Sequence, residues 1–158
     1  MPIRLLAALL TAVAVALALA EGAMAAPSRP ETAPVATAAA TPTVEVHRSR
    51  YGRYLTDGTG RTLYLFARDP RGRTVCDGAC ARAWPPLIAR GRLTAGRGAR
   101  RSLLGRTRRP DGTRQVTYRG RPLYYYVNEH RPFQILCQDV FEFGGRWLLV
   151  APSGRAIG

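Results

Sequence analysis

Residues 55–69, LTDGTGRTLYLFARD, fall on residues 115–129, QVTYRGRPLYYYVNE, when the chain is shifted by 60 positions. Gly60 then meets Gly120, Arg61 meets Arg121, Leu63 meets Leu123 and Tyr64 meets Tyr124. Phe66 faces Tyr126 and Asp69 faces Glu129, so six of fifteen positions agree in identity or chemical type. An internal match of this kind predicts two related units in one chain.

Working outward, the local pattern is β: short aromatic and β-branched runs broken by Gly and Asp turns. Strands are expected at 44–48, 51–56 and 62–67, the last two joined as a hairpin across Asp57, Gly58, Thr59 and Gly60. The second half repeats the plan, with strands at 103–109, 114–119 and 122–127 around turns at 110–112 and Gly120, then a last strand at 146–151. Between the halves only a short helix, Gly78 to Ala83, is possible, because Pro85 and Pro86 follow Trp84. The fold class is therefore mainly β. It is a small single domain over 44–158 of two related hairpin or meander units, about 51–90 and 103–151, with a helical turn near the C-x3-C segment.

Strand alternation places Leu63 and Leu65 on one face and Tyr64 and Phe66 on the other; Leu123 with Tyr125, and Tyr124 with Tyr126, repeat this. Exposed rings could stack on a ligand, but in a chain with few large aliphatic residues they serve better as core. In each unit a carboxylate follows the tyrosine, Asp69 after Tyr64 and Glu129 after Tyr124. It can accept a bond from the tyrosine hydroxyl or cap an amide in the turn after the strand. Either role is structural rather than catalytic.

Three stretches together, TLYLFARD (62–69), CDGACARAWPP (76–86) and RPDGTRQVTYRGRPLYYY (109–126), closely resemble the bacterial secreted-repeat lipoproteins with a Y-x4-D motif. The resemblance spans about residues 50–158 and marks Tyr64, Asp69, Trp84, Pro85, Pro86, Tyr124 and Glu129 as family-motif positions. It implies a secreted or envelope β-rich protein of tandem repeats, in a family without an established biochemical role. Three features depart from the pattern. The lipobox cysteine is missing, Glu129 stands where aspartate is usual, and QILCQDVFEF (134–143) replaces a glycine-rich stretch.

The chain has 158 residues, enough for one domain, and a formal charge of +14 carried entirely by arginine. Without lysine, Schiff-base and phosphate-loop chemistry are excluded. Two histidines, His47 and His130, and four serines outside any G-x-S-x-G context supply no nucleophile and base pair. No enzyme and no cofactor are implied. Arg4 before the apolar run Leu5–Ala20, with Ala23, Met24 and Ala25 after it, reads as a signal peptide over residues 1–25. The Ala-, Pro- and Thr-rich residues 26–43 read as a disordered tether. With no cysteine before Cys76 there is no lipid attachment site, and after signal cleavage no transmembrane segment is expected.

In an exported chain Cys76 and Cys80, one helical turn apart, are the disulfide candidates, which leaves Cys137 over. An alternative is a thiol-redox or soft-metal protein, with Cys76, Cys80, Cys137 and His130 holding Cu(I) or zinc. Between Arg90 and Arg121 stand eleven arginines and one acid, Asp111. Arg97, Arg100, Arg101, Arg106, Arg108 and Arg109 are candidate polyanion contacts. Outside the cytoplasm, anionic envelope polymers or lipid headgroups suit them better than nucleic acid, for which no recognition motif occurs. The functional expectation is a noncatalytic, secreted or envelope-associated binding module.

Overall fold

The computed structural model describes residues 41–158. The expected signal peptide and nearly all of the expected tether lie outside the described residues. Among those described, no helix is long and apolar enough to cross a membrane.

The chain is mainly β, in three small sheets. Strands β1 (Thr43–Ser49) and β2 (Gly52–Asp57) form an antiparallel hairpin, and β4 (Thr94–Ala95) lies parallel to β1. In the second sheet β9 (Gly145–Leu149) is flanked by β3 (Tyr64–Phe66) and β8 (Val140–Glu142). The third runs β5 (Leu104–Arg108), β6 (Arg114–Tyr118), β7 (Arg121–Pro122). Helix α1 covers Gly78–Ala83, ends at Trp84 where the two prolines remove the next backbone donors, and buries Cys80.

Two turns use one device. Asp57 Oδ1 accepts from the amide and hydroxyl of Thr59, and Asp111 Oδ1 accepts from the same groups of Thr113. This Asx turn explains why both occur as Asp-Gly-Thr. The β5–β6 hairpin closes across the expected turn, in register from Leu104 opposite Tyr118 to Arg108 opposite Arg114. Across Asp57–Gly60 the outcome differs from the expected hairpin. A bridge joins Thr56 to Thr62, but the ladder stops there, because the Leu55 amide already donates to the Val150 carbonyl at 2.9 Å. The chain beyond Thr62 leaves β2 and pairs instead with β9, Tyr64 opposite Leu149 and Phe66 opposite Trp147.

The expected strand at 122–127 is also shorter, reduced to β7 and a bridge at Tyr124. Its partner is the segment 83–86 of the first unit. Pro85 and Pro86 have no amide hydrogen, so the pairing rests on the Tyr125 amide to the Pro85 carbonyl (2.8 Å), the Val127 amide to the Ala83 carbonyl (3.0 Å) and, past the prolines, the Leu87 amide to the Leu123 carbonyl (2.9 Å). In both units, then, the segment that bears the tyrosine pairs with the tryptophan segment of the other unit.

Alternation divides the interior in two. Leu63, Leu65 and Leu123 pack into an aliphatic cluster with Val44, Leu55 and Val116. Tyr64, Phe66 and Tyr124 face the opposite side, into an aromatic cluster with Trp84 and Trp147. Gly60 joins the layers at φ +86, and a Cβ there would lie 2.8 Å from the Phe133 ring. Gly60→Ala is expected to lower unfolding free energy by about 1–2 kcal/mol. Gly72→Ala, at φ +71 with open space around it, should cost less in the same urea titration.

Candidate functional site

At the centre, Tyr64 and Tyr124 form an antiparallel bridge. Each amide donates to the other's carbonyl, at 2.8 Å from Tyr64 and 3.0 Å from Tyr124. Their hydroxyls then cross between the units. Tyr64 donates to Glu129 Oε1 at 2.5 Å, and Tyr124 donates to Asp69 Oδ2 at 2.6 Å. Neither tyrosine bonds to the carboxylate of its own motif. A turn lies between them, with the Asp69 amide donating to the Phe66 carbonyl at 3.1 Å and the Glu129 amide to the Tyr126 carbonyl at 3.2 Å, and the motif is completed by the opposite unit.

The second role open to these carboxylates is filled at the same time. Asp69 Oδ1 accepts the Val75 amide at 2.7 Å, and Glu129 Oε1 accepts the Leu136 amide at 2.8 Å. The longer side chain of Glu129 accompanies a loop one residue longer than that after Asp69. All four side chains are buried, Tyr64 and Tyr124 completely. Burial pushes both carboxyls above their ordinary range, opposed by the phenol and amide donors. Burial, reinforced by the facing carboxylates, pushes both phenols well above theirs, so they remain protonated donors. This arrangement holds protons in place rather than moving them.

Around it the rings repeat under exchange of units. Trp84 and Trp147 stack at 3.9 Å and 4°; Tyr64 meets Trp84 edge-on at 5.3 Å, and Tyr124 meets Trp147 edge-on at 5.2 Å. Phe66 packs on Trp147 and Tyr126 on Trp84, each reaching across to the other unit. The buried Trp84 indole donates to Glu142 Oε2 at 2.7 Å. Pro85 and Pro86 carry Trp84 into this stack from the end of α1.

Cys76 and Cys80 are joined as a disulfide, with 5.2 Å between their Cα atoms. This overturns the expected soft-metal set of Cys76, Cys80, Cys137 and His130, since a disulfide sulfur has no thiolate to offer. His130 is exposed, its amide held by Gln134. Among the described residues no group of three or more His, Cys, Asp or Glu could hold a metal ion. Cys137 is free and buried, and burial pushes its thiol up to about 11, away from the reactive thiolate form.

Of the candidate polyanion contacts, Arg97, Arg100, Arg101, Arg106 and Arg108 are exposed. Arg109 corrects that group: it is 4 % exposed, its guanidinium donating to Gln115 Oε1 at 2.7 Å and to the Cys76 carbonyl at 2.8 Å, and lying 3.6 Å from Asp111. Alternation along the strand carried the signal: Arg106 and Arg108 point outward, Thr107 and Arg109 inward. Arg109 therefore ties the second unit to the disulfide segment of the first.

A family model described as a secreted repeat of unknown function matches the chain twice, over residues 46–88 and 105–151. No curated protein and no solved structure matches it. Each matched segment contains one partner of both crossed contacts, together with the loop donor to its own carboxylate, Val75 in the first and Leu136 in the second.

Two outcomes are expected. Tyr64→Phe should cost about 2 kcal/mol, because it leaves a buried carboxylate short of a donor. In double-mutant cycles Tyr64 should couple to Glu129 and not to Asp69, read from urea unfolding. The second concerns pH. Folded carboxyls raised above their unfolded values bind more protons in the native state, so their contribution to stability is greatest in acid. It falls as pH rises from about 4 through the raised folded value. The melting temperature of the wild type should thus drop more over this window than that of the Asp69→Asn, Glu129→Gln variant.

Proposed function

The chain belongs to this family of secreted repeats, and from that premise we propose that it is a noncatalytic binding module that holds anionic polymers of the cell envelope. The observation that carries the reading is the run of exposed guanidiniums at Arg97, Arg100, Arg101, Arg106 and Arg108. Among the described residues none of them lies within ion-pair distance of an acid. Arg106 is steadied by the Gly91 carbonyl at 2.5 Å, which joins the two sides of this loop region.

The noncatalytic part is supported by what the central groups are doing. Tyr64, Tyr124, Asp69 and Glu129 are buried and bonded to one another, and Cys137 lies inside. A substrate would have no access to them, and burial with the facing carboxylates holds both phenols protonated. The five arginines are the opposite case, cationic forks open to solvent.

Binding to a glycerol-phosphate polymer should weaken with salt, the logarithm of affinity falling linearly with the logarithm of salt concentration. The slope should decrease by about one for each contact removed in the series Arg97→Gln, Arg100→Gln, Arg101→Gln, Arg106→Gln and Arg108→Gln. Binding that ignores salt, or survives loss of all five, would overturn the reading. Equal retention on vesicles of anionic lipid and on the polymer would reassign the partner to headgroups.

A further inference from the structure

We infer that a cavity lined by none of those five arginines is a site for a single phosphate group. The cavity measures about 320 Å³ and brings together Arg71, Arg119, Arg121 and Arg155 over a floor of Leu65 and Leu148. The two leucines face each other across β3 and β9. Among the described residues no acid lines it, and none of the four arginines is in ion-pair distance of one. Four like charges round one hollow repel each other unless an anion occupies it.

Two of the four guanidiniums are held. Arg121 Nη1 donates to the Asp69 carbonyl at 2.7 Å, and Arg119 Nη1 to the Ser153 carbonyl at 3.2 Å. Arg119 packs against Gly154, where a Cβ would come within 2.5 Å of the Arg119 Cβ. The Gly72 amide donates to the Gly120 carbonyl at 2.7 Å, which sets Arg71 over the same turn. Each guanidinium has five N–H donors and gives at most one of them to the protein, leaving a fork suited to phosphate oxygens.

The repeat supplies an internal comparison. A shift of 60 carries Arg121 onto Arg61, Arg119 onto Thr59 and Leu65 onto Tyr125. The corresponding hollow of the other unit, about 440 Å³, includes Asp57, Thr59, Arg90 and Tyr125 in its lining. There Arg61 lies 3.9 Å from the Tyr125 ring, and the Tyr125 hydroxyl donates to Asp57 at 2.9 Å. One hollow thus carries Asp57, the Tyr125 ring and a single arginine, Arg90, and the other carries four arginines with neither acid nor ring. Folding does not require this. Thr59 serves the equivalent turn, whereas Arg119 adopts φ 52, a conformation that glycine, asparagine or aspartate takes more readily.

The inference deepens the anion-binding reading and rests on it for the source of the phosphate, an envelope polymer or a lipid headgroup. Calorimetric titration of the secreted protein with inorganic phosphate, glycerol 1-phosphate and acetate at constant ionic strength tests it. Both phosphates should bind saturably and acetate about tenfold more weakly. Arg71→Gln and Arg155→Gln should each reduce phosphate affinity about tenfold. Both side chains are exposed and donate no hydrogen bond within the described residues, so melting temperature should not move. The five loop substitutions should leave phosphate affinity unchanged while abolishing polymer retention, so the two failures are separable. Whichever of glycerol-phosphate polymer and phosphatidylglycerol vesicles loses affinity in the Arg71, Arg155 variant is the source. Absence of saturable phosphate binding, acetate as tight as phosphate, or wild-type affinity in that variant would overturn the site.

Discussion

A tyrosine hydroxyl buried beside a carboxylate must donate to it, and here each donor and its acceptor come from different halves of the chain. The crossed pairs Tyr64 with Glu129 and Tyr124 with Asp69 make the units interdependent. Separated from its mate, either half would carry an unpartnered phenol and an unpartnered carboxylate into its own interior, at the full desolvation penalty of both. It would also lose the Trp84–Trp147 stack and half of the backbone pairing around the tyrosines. The repeat is duplicated in sequence, but the folding unit is the pair.

The two halves agree where they meet and diverge away from that axis. Aromatic contacts repeat closely, and so does the amide capping by Asp69 and Glu129. Farther out, the first unit presents Pro85 and Pro86 to its partner strand where the second presents Leu148 and Leu149, so one ladder is regular and the other is broken. Cys76 has Cys80 as a mate, whereas Cys137, in the same aromatic cluster, has none. The two turn hollows differ in charge, with four arginines and no acid in one, and one arginine with one aspartate in the other. Stability lies in the matched centre, and the unmatched periphery is where binding chemistry can vary without unfolding the molecule.

Charge follows the same division. The few buried ionisable groups are individually bonded: Asp69, Glu129 and the crossing Arg109 each find partners from another segment. The remaining arginines stand mostly in solvent, where their hydration is retained and their field acts outward. The inward charges are individually bonded and the outward ones, Asp111 and Asp139 among them, are predominantly positive, so the field at the surface is positive.

Much of this was determined by the amino-acid sequence alone. The period of two placed Leu63 and Leu65 on one face and Tyr64 and Phe66 on the other, the prolines ended the helix at Trp84, and the four-residue spacing paired Cys76 with Cys80. These follow from chain geometry over a few residues. Which carboxylate serves which tyrosine, and why β3 leaves β2 for β9, were decided only in the tertiary structure. Each depends on a group more than thirty residues distant arriving with a free donor or acceptor, and local spacing holds no record of that arrival.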